Sequence, residues 1–395
     1  MRILEVCPDF PPWAGSGAAE TFRLLAQSWC GMGHEVTVAC SRPSSRAGLP
    51  SPDVPYRLES YRLLDLPAGL HEASYFAPLR LADRRRFRDF VRSESGTYDR
   101  VLVHGLLETI PRQFLLWFRG APSRKLISLQ YGISTADYSR ILSAGSWLVH
   151  ESVGRLLVSR MGTIVVFSSE SESELRSYFG PMKGKNVVRE TLGIDTAAFA
   201  NEWASVAQQL PAGTSSLESR SIRPPFIFAI GRNNRMKGFD TLLESFGQLA
   251  KEFPSLSLVL AGERTPFTNN LESAIGKLDL QGRVLILGRI SPWDRMALLT
   301  ACTVFAIPSR KEGFGLNAVH ARILSKPTVA TATGAHVQIL GNDGPFWIVP
   351  PGDVPALTEA LRDAVNRGLA TPGIDASQLS RFDINTLAAE LLKLG

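Results

Sequence analysis

The residues best suited to chemistry lie in a short run, Pro308–Leu316, which follows an apolar stretch and precedes a helical pattern. Glycines at positions 313 and 315 let backbone N–H groups approach an anion, and a helix N-terminus adds partial positive charge. Glu312 adds a carboxylate to the same loop. The run therefore predicts an anion site with an acidic neighbour, and the alternative is a plain strand-to-helix turn whose charges face water.

A second run, Gly231–Gly238, also follows an apolar stretch and opens a helical pattern. Arg232 and Lys237 place two cations beside the predicted helix N-terminus, a combination that suits a diphosphate. A solvated basic loop is the alternative interpretation.

Alternating apolar and helical segments predict the framework that positions these loops. Ile3–Cys7 and Glu35–Cys40 flank a helical pattern from about Ala18 to Met32, which is a βαβ unit and implies a parallel sheet. The other predicted strands are Val101–His104, Lys125–Leu129, Thr163–Phe167, Phe226–Ile230, Leu256–Leu260, Val284–Leu287 and Val304–Ile307. The other predicted helices are Phe239–Glu252, Ala318–Leu324, Ala356–Arg367 and a last one within Asp383–Leu394.

Two such units in succession predict two domains. We expect a first domain over 1–200, a linker rich in Ser, Pro and Ala over 201–225, and a second domain over 226–375. The segment 376–395 has helical apolar spacing and is expected to dock back onto the first domain. Ligands of parallel sheets bind at the carboxyl ends of the strands, so this organisation predicts a cleft between the domains.

Composition narrows the class of protein. The 395 residues carry 43 Lys and Arg against 37 Asp and Glu, a formal net charge of +6, which fits an anionic ligand without requiring nucleic acid. The sequence has no Asp-x-Asp triplet, no zinc-ligand spacing and no Cys-x-x-Cys pair among its four cysteines. It also lacks a signal peptide and the roughly 20-residue apolar run of a membrane span, so we expect a cytoplasmic protein.

Taken together, the motifs resemble those of family-4 glycosyltransferases, also called group 1 glycosyltransferases. The likeness covers most of the chain and is densest between Phe226 and Gly352. The segments that carry it are Phe10–Glu20, Leu192–Asp195 with Phe199, Gly231–Gly238, Ala261–Glu263, Leu287–Ile290, Pro308–Leu316 and Lys326–Ala330.

The resemblance implies an α/β protein of GT-B architecture, in which two Rossmann-like domains face each other across a cleft. It further implies retaining, metal-independent transfer of a sugar from a nucleoside diphosphate sugar, with no cofactor and no metal ligands. The acceptor would be a saccharide, a lipid-linked precursor or a small molecule. The alternatives are an epimerase or phosphorylase of the same fold, and a degenerate relative that binds a sugar nucleotide or a partner without turnover.

Residue roles follow by position in the family's motifs. Arg232 and Lys237 would neutralise the donor diphosphate, and Glu312 would contact donor-sugar hydroxyls, which makes these three the expected catalytic residues. The remaining donor-binding residues expected from the resemblance are Gly15, Gly17, Arg289, Ile290, Gly313, Phe314, Gly315, Leu316 and His320. Of these, Arg289 and Ile290 would lie beside the nucleobase.

His320 stands where the family has a second glutamate that binds the ribose hydroxyls. A neutral imidazole offers one acceptor and one donor, so it would satisfy only part of that pair. The alternative is that His320 merely packs in its helix. On the acceptor side, Gln130-Tyr131-Gly132 lies where a histidine before the glycine is common, and His104 is either a core histidine or an acceptor-site residue.

Arg80, Arg84, Arg88 and Arg92 recur every four residues, and apolar residues occupy the opposite face. This pattern predicts a basic amphipathic helix. Its two interpretations are a solvated surface and a peripheral contact with anionic lipid at the inner face of the membrane.

Overall fold

The structure, a computed structural model, describes residues 1–13, 17–42, 53–64, 77–106, 108–119, 126–130, 154–209, 217, 222–368 and 373–394. The chain forms two compact units: the first combines Met1–Ile194 with Asp383–Gly395, and the second is Asp195–Phe382. Each unit is built on a parallel sheet flanked by helices, so the predicted α/β class with two Rossmann-like sheets is confirmed.

Within the described residues, the first unit has a seven-stranded sheet in the order β3-β2-β1-β4-β5-β6-β7, with every neighbouring pair parallel. Its central strands are apolar and buried on both faces, as parallel strands covered by helices must be. The strands are β1 (Arg2–Cys7), β2 (Glu35–Arg42), β3 (Arg57–Arg62), β4 (Arg100–His104), β5 (Leu126–Gln130), β6 (Thr163–Val166) and β7 (Asn186–Arg189).

Helices of the first unit pack their apolar faces on this sheet. In α2, for example, Phe87, Phe90 and Val91 are buried while the arginines between them face solvent. The helices are α1 (Gly17–Gly31), α2 (Leu81–Ser93), α3 (Thr109–Trp117), α4 (Arg155–Ser159) and α5 (Ser169–Phe179).

The second unit has a six-stranded sheet among its described residues, in the order β10-β9-β8-β11-β12-β13 and again all parallel. The strands are β8 (Phe226–Ile230), β9 (Ser257–Ala261), β10 (Val284–Ile286), β11 (Val304–Ile307), β12 (Thr328–Thr331) and β13 (Phe346–Val349). The helices are α6 (Thr196–Gln209), α7 (Phe239–Glu252), α8 (Phe267–Lys277), α9 (Pro292–Ala301), α10 (Leu316–Ile323), α11 (His336–Leu340), α12 (Val354–Arg367) and α13 (Ala376–Arg381).

The boundary between the units differs from the predicted one. Residues 201–209, which were expected to begin the linker, form the second half of α6. This helix belongs to the second unit, which starts at residue 195. Phe199 and Val206 are buried, and Glu202 pairs with Arg295 of α9 at 3.2 Å. The Ser- and Ala-rich composition resembles a linker, but the spacing of these apolar residues is helical.

The last helix, α14 (Ile384–Lys393), belongs to the first unit, whereas α13 belongs to the second. The indole Nε1 of Trp29 in α1 donates to the carbonyl of Ala388 at 3.0 Å, and Ser28 Oγ donates to Asn385 Oδ1 at 2.6 Å. The expected docking segment is therefore shorter than 376–395 and starts at Asp383.

Sequence patterns did not identify β3, β7, β12 and β13. β3, β7 and β13 lie at sheet edges, where a strand needs fewer buried residues, and β3 reads Arg-Leu-Glu-Ser-Tyr-Arg. The remaining strand, β12, is only four residues long. Among the described helices, none is long and apolar enough to span a membrane.

Candidate functional site

The loop after β8 carries the predicted diphosphate cations. Asn234 accepts a hydrogen bond from the backbone N–H of Lys237 through its side chain at 3.2 Å, which caps a single 3₁₀ turn, Arg235–Lys237. Gly238 then adopts a left-handed conformation with φ 66°, and α7 begins at the next residue. This cap therefore fixes the backbone position from which the Lys237 side chain extends.

Gly238 also lets this loop touch the loop that follows β11. A Cβ atom at position 238 would lie 2.0 Å from the carbonyl oxygen of Pro308, so a larger residue there would force the loops apart. Arg310 reinforces the contact: its backbone N–H donates to Met236 O at 2.7 Å, and its guanidinium binds the Asp240 carboxylate at 2.6 and 3.0 Å. This structural role of Arg310 was not evident from the motif.

Lys237 and Glu312 meet where the two loops join. Lys237 Nζ lies 2.5 Å from Glu312 Oε1, which also accepts a hydrogen bond from Ser309 Oγ at 2.8 Å. The two charged side chains are only 24% and 13% exposed. Burial alone would raise the pKa of the Glu312 carboxyl, but the charge of Lys237, together with the hydrogen bonds from Lys237 and Ser309, outweighs it and the pKa is lowered. Glu312 is therefore a carboxylate at neutral pH.

A second glycine, Gly315, makes room for a residue that the motifs did not indicate. Gly315 has φ 108°, and a Cβ there would lie 2.5 Å from both Cδ2 and Nε2 of His336. Nδ1 of the buried His336 lies 2.9 Å from Thr331 O; because a carbonyl only accepts, Nδ1 carries the proton. Burial lowers the pKa of His336 despite the opposing effect of Glu312, so its ring is neutral and packs behind the Glu312 loop.

Helix α10 starts directly after Gly315, so the partial positive charge of its N-terminus lies at this loop. Gly313 and Leu316 are half-buried, whereas Phe314 is 5% exposed and contributes its side chain to the interior. Asn317 ties the helix to the end of β8 by donating from Nδ2 to Ile230 O at 2.9 Å. The Gly313–Leu316 loop, the start of α10 and the end of β8 therefore lie together in the second unit.

The other predicted cations, Arg232 and Arg289, share one carboxylate. Glu263 Oε2 lies 3.4 Å from Arg232 Nε, and Glu263 Oε1 lies 3.0 Å from Arg289 Nη2. Ile290 is half-buried beside the exposed Arg289. Glu263 lies in one of the segments that carried the resemblance, but the resemblance gave it no role. Only the fold shows that it connects the loop after β8 to the loop after β10.

His320 is packed rather than open. Its ring stacks on Phe199 of α6 with centroids 5.0 Å apart and planes inclined by 22°, and the residue is 9% exposed. Burial lowers the pKa of His320 well below its ordinary value, and Arg295 adds to the effect. The geometry favours the packing alternative, and the ribose contact stays a prediction.

Of the two glycines predicted in the first unit, Gly15 lies outside the described residues. Gly17 begins α1 and accepts a hydrogen bond from Thr21 Oγ1 at 3.0 Å. The same unit buries His104 fully against Glu5, with Nε2 and Oε1 2.8 Å apart. Burial raises the pKa of Glu5 and lowers that of His104 to about 3, so the imidazole is neutral at pH 7 and His104 is a core residue.

Two family models match the chain: "Glycosyl transferases group 1" over residues 218–372 and "Glycosyl transferase 4-like domain" over residues 16–189. Together they span most of its length. The chain belongs to the group 1 glycosyltransferases.

This glycosyltransferase is similar to the glycogen synthase of Mycobacterium tuberculosis, with 24% identity over 383 residues, 93% of this chain and 86% of the relative. Its fold matches a Burkholderia xenovorans α,α-trehalose-phosphate synthase in complex with glucose-6-phosphate, with a TM-score of 0.73, 15% identity and coverage of 100% and 99%. It also matches Anabaena HepE in complex with UDP-glucose, with a TM-score of 0.67, 17% identity and coverage of 100% and 99%. These matches confirm the GT-B fold.

Within the glycosyltransferase, the structure brings Lys237, Glu312 and the start of α10 together, and it places Arg232 with Arg289 on Glu263. Sequence reasoning missed Ser309, His336 and Glu263 as partners of these residues. Ser309 lay inside the recognised run, but His336 is separated from Glu312 by helix α10 and strand β12. No local spacing signals such a contact.

Proposed function

We propose that this glycosyltransferase moves a sugar from a nucleoside diphosphate sugar to an acceptor hydroxyl, with retention at the anomeric carbon and without a divalent metal. The observation that carries the proposal is the Lys237–Glu312 pair at the start of α10. The fold match to a protein in complex with UDP-glucose supports the class of donor.

Departure of the nucleoside diphosphate builds negative charge on the leaving phosphate. Lys237 and Arg232 would bind that charge from the loop after β8, and the amides at Gly313–Leu316 would donate to phosphate oxygens at the N-terminus of α10. Because these cations and amides act at the leaving group, the reaction requires no metal ion there. The ion pair with Glu312 holds the Lys237 ammonium group beside the start of α10.

Glu312 would hold the donor sugar. Its Oε1 already accepts hydrogen bonds from Lys237 and Ser309, whereas Oε2 has no hydrogen-bond partner among the described residues and would accept from a sugar hydroxyl. The lowered pKa maintains the carboxylate as an acceptor through the neutral range. Retention rests on the resemblance to the family, and the acceptor remains one of three classes: a saccharide, a lipid-linked precursor or a small molecule.

The test is turnover of a panel of UDP-, GDP- and ADP-sugars by the purified protein, with hydrolysis in the absence of acceptor as the first readout. We expect slow hydrolysis of one donor, and we expect this hydrolysis to continue in the presence of EDTA. Transfer to an accepted saccharide should give a product with the donor's anomeric configuration by NMR. Rescue of EDTA-treated protein only by Mn²⁺ or Mg²⁺ would refute metal independence, and an inverted product would refute retention. Binding of a donor without hydrolysis or transfer would favour the degenerate alternative.

The basic helix α2 supports a finer proposal about partners. Arg84, Arg85, Arg88 and Arg92 line a groove of about 360 Å³ with Trp117 and Leu81, the last of which is 65% exposed. Among the residues that the structure describes, Arg84, Arg85 and Arg92 have no carboxylate partner. Unpaired guanidinium groups beside an indole and an exposed leucine suit an anionic membrane interface. We propose that this arginine groove contacts anionic lipid.

Co-sedimentation with vesicles tests the arginine groove. Phosphatidylglycerol-containing vesicles should bind the protein at low salt and release it at high salt, since each arginine contributes about 1 kcal/mol that decays within a Debye length of about 8–10 Å. Arg84→Glu/Arg88→Glu should abolish binding, whereas Arg176→Glu/Lys183→Glu, with the same change of charge elsewhere in the unit, should not. Equal loss in both variants, or binding of inositol hexakisphosphate without vesicle binding, would contradict a membrane contact.

A further inference from the structure

An arginine–carboxylate–arginine bridge spans three adjacent loops of the second unit. Glu263, just after β9, contacts Arg232 after β8 and Arg289 after β10 through its two separate oxygens. The three side chains are 39%, 43% and 58% exposed, respectively, so they are accessible to a ligand and are not a core cluster.

The backbone holds this bridge in place. β9 lies between β10 and β8 in the sheet, and the loops exchange hydrogen bonds: Asn233 N–H donates to Glu263 O at 2.9 Å, and Gly262 N–H donates to Gly288 O at 2.7 Å. Because the main chain on both sides of Glu263 is tied to its neighbours, the carboxylate sits at a defined position between the two cations.

His320, by contrast, is poorly placed for two ribose hydroxyls. The ring is buried and stacked on Phe199. A neutral imidazole also has one acceptor nitrogen for two hydroxyl donors. The nucleotide half of the site therefore lacks a carboxylate at position 320 and possesses one at Glu263.

We infer that Glu263 accepts hydrogen bonds from the ribose hydroxyls of the donor nucleotide. The inference rests on the proposed function, in which Arg232 binds the diphosphate and Arg289 lies beside the base. Ribose connects those two parts of a nucleotide, and Glu263 is the side chain that contacts both cations. A carboxylate has two acceptor oxygens, which match two neighbouring hydroxyls, and the charge makes those hydrogen bonds strong.

Binding would exchange partners in this arrangement. Arg232 turns from Glu263 to phosphate, and the carboxylate oxygen it releases accepts from a ribose hydroxyl. The alternative is that Glu263 only repels the diphosphate and weakens nucleotide binding. The two roles predict opposite effects of removing its charge.

Calorimetric titration with UDP, GDP and ADP selects the nucleotide that binds wild-type protein most tightly, and its 2′-deoxy and 3′-deoxy forms are then measured. Loss of a hydrogen bond to a charged acceptor should weaken wild-type binding at least tenfold for one of them. In Glu263→Gln the parent nucleotide should bind about five- to tenfold more weakly, and the deoxy penalty should fall to about twofold or less. Glu272→Gln is the matched control, because Glu272 pairs with Arg264 at similar exposure. It should change neither value.

An undiminished deoxy penalty in Glu263→Gln, or tighter binding of the parent nucleotide, would overturn the ribose assignment while leaving the proposed function intact. If the deoxy penalty disappears in His320→Ala and not in Glu263→Gln, the ribose contact belongs to His320. If wild-type protein binds none of the three diphosphates, the proposed function itself fails. Thermal melting of each variant confirms that the exposed substitution leaves the unit folded.

Discussion

Replacing Lys237 by Ala is the sharpest perturbation of the candidate site. The change removes a charge-assisted contact to the leaving phosphate, and such contacts contribute about 1.5–3 kcal/mol. At about 1.4 kcal/mol for each factor of ten, kcat/KM should fall roughly 10- to 150-fold. Most of the loss should appear in kcat, because the charge on the leaving group is greatest in the transition state.

The structure adds a cost in stability, because Lys237 also neutralises Glu312. An exposed ion pair contributes up to about 1 kcal/mol, and breaking a buried one costs about 3–5 kcal/mol. With side chains 24% and 13% exposed, this pair lies between the two cases, at about 1–3 kcal/mol. In a unit of this size each kcal/mol lowers Tm by about 2–4 °C.

The pair also predicts a change in pH dependence. Glu312 has a lowered pKa chiefly because Lys237 offsets the effect of burial, so removing Lys237 should raise that pKa. The acid limb of the kcat/KM profile should then move to higher pH in Lys237→Ala. Stability should change with pH in the same direction. Because the pKa of Glu312 is lowered in the folded state, its carboxylate stabilises that state above the pKa of the unfolded chain, and this stabilisation is lost as pH falls.

Initial rates and thermal melts of Lys237→Ala, Glu312→Gln and the double variant provide the measurement. Because both groups act at one place, their effects on kcat should be less than additive. Lys251→Ala, on the exposed side of α7, serves as the matched control and should leave rates and Tm unchanged. Wild-type rates in Lys237→Ala would refute the leaving-group role, and a shifted Tm with wild-type rates would leave the pair purely structural.

Three further predictions concern single residues. Glu312→Ala should reduce kcat by more than tenfold with a smaller change in donor KM, because its contact is to the reacting sugar; the reverse pattern would contradict that contact. His320→Ala should lower Tm by several degrees and leave donor KM within about twofold, since its ring packs on Phe199; a tenfold rise in KM at constant Tm would restore a ribose role. The folded pKa of His104, about 3, lies below its unfolded value of about 6.5, so wild-type protein should lose stability as pH falls through that window. Urea midpoints of His104→Gln should vary less with pH there, and an equal loss would refute the assignment.

Much of the framework was predictable because its signals are local. Apolar strands such as Val304–Ile307 and glycines that open helices recur within short windows, and the structure places both predicted loops at the ends of β8 and β11. The edge strand β3 was not predictable from its charged sequence, because its partner β2 supplies the hydrogen bonds that define it. The helical structure of residues 201–209 was not predictable for a related reason, because α6 is specified by what Phe199 packs against.

The partners of the site residues could not be predicted from spacing, because each contact joins loops that are distant in sequence. Lys237 and Glu312 are 75 residues apart, yet Gly238 allows their loops to touch at Pro308. Gly315, which the motif suggested as a phosphate contact, is also the place where the His336 ring fits. A substitution at either glycine would therefore move Glu312 as well as disturb the backbone amides. The contacts of Glu263 with Arg232 and Arg289, and the stacking of His320 on Phe199, could not be predicted from motif spacing either, because each joins elements that are distant in sequence.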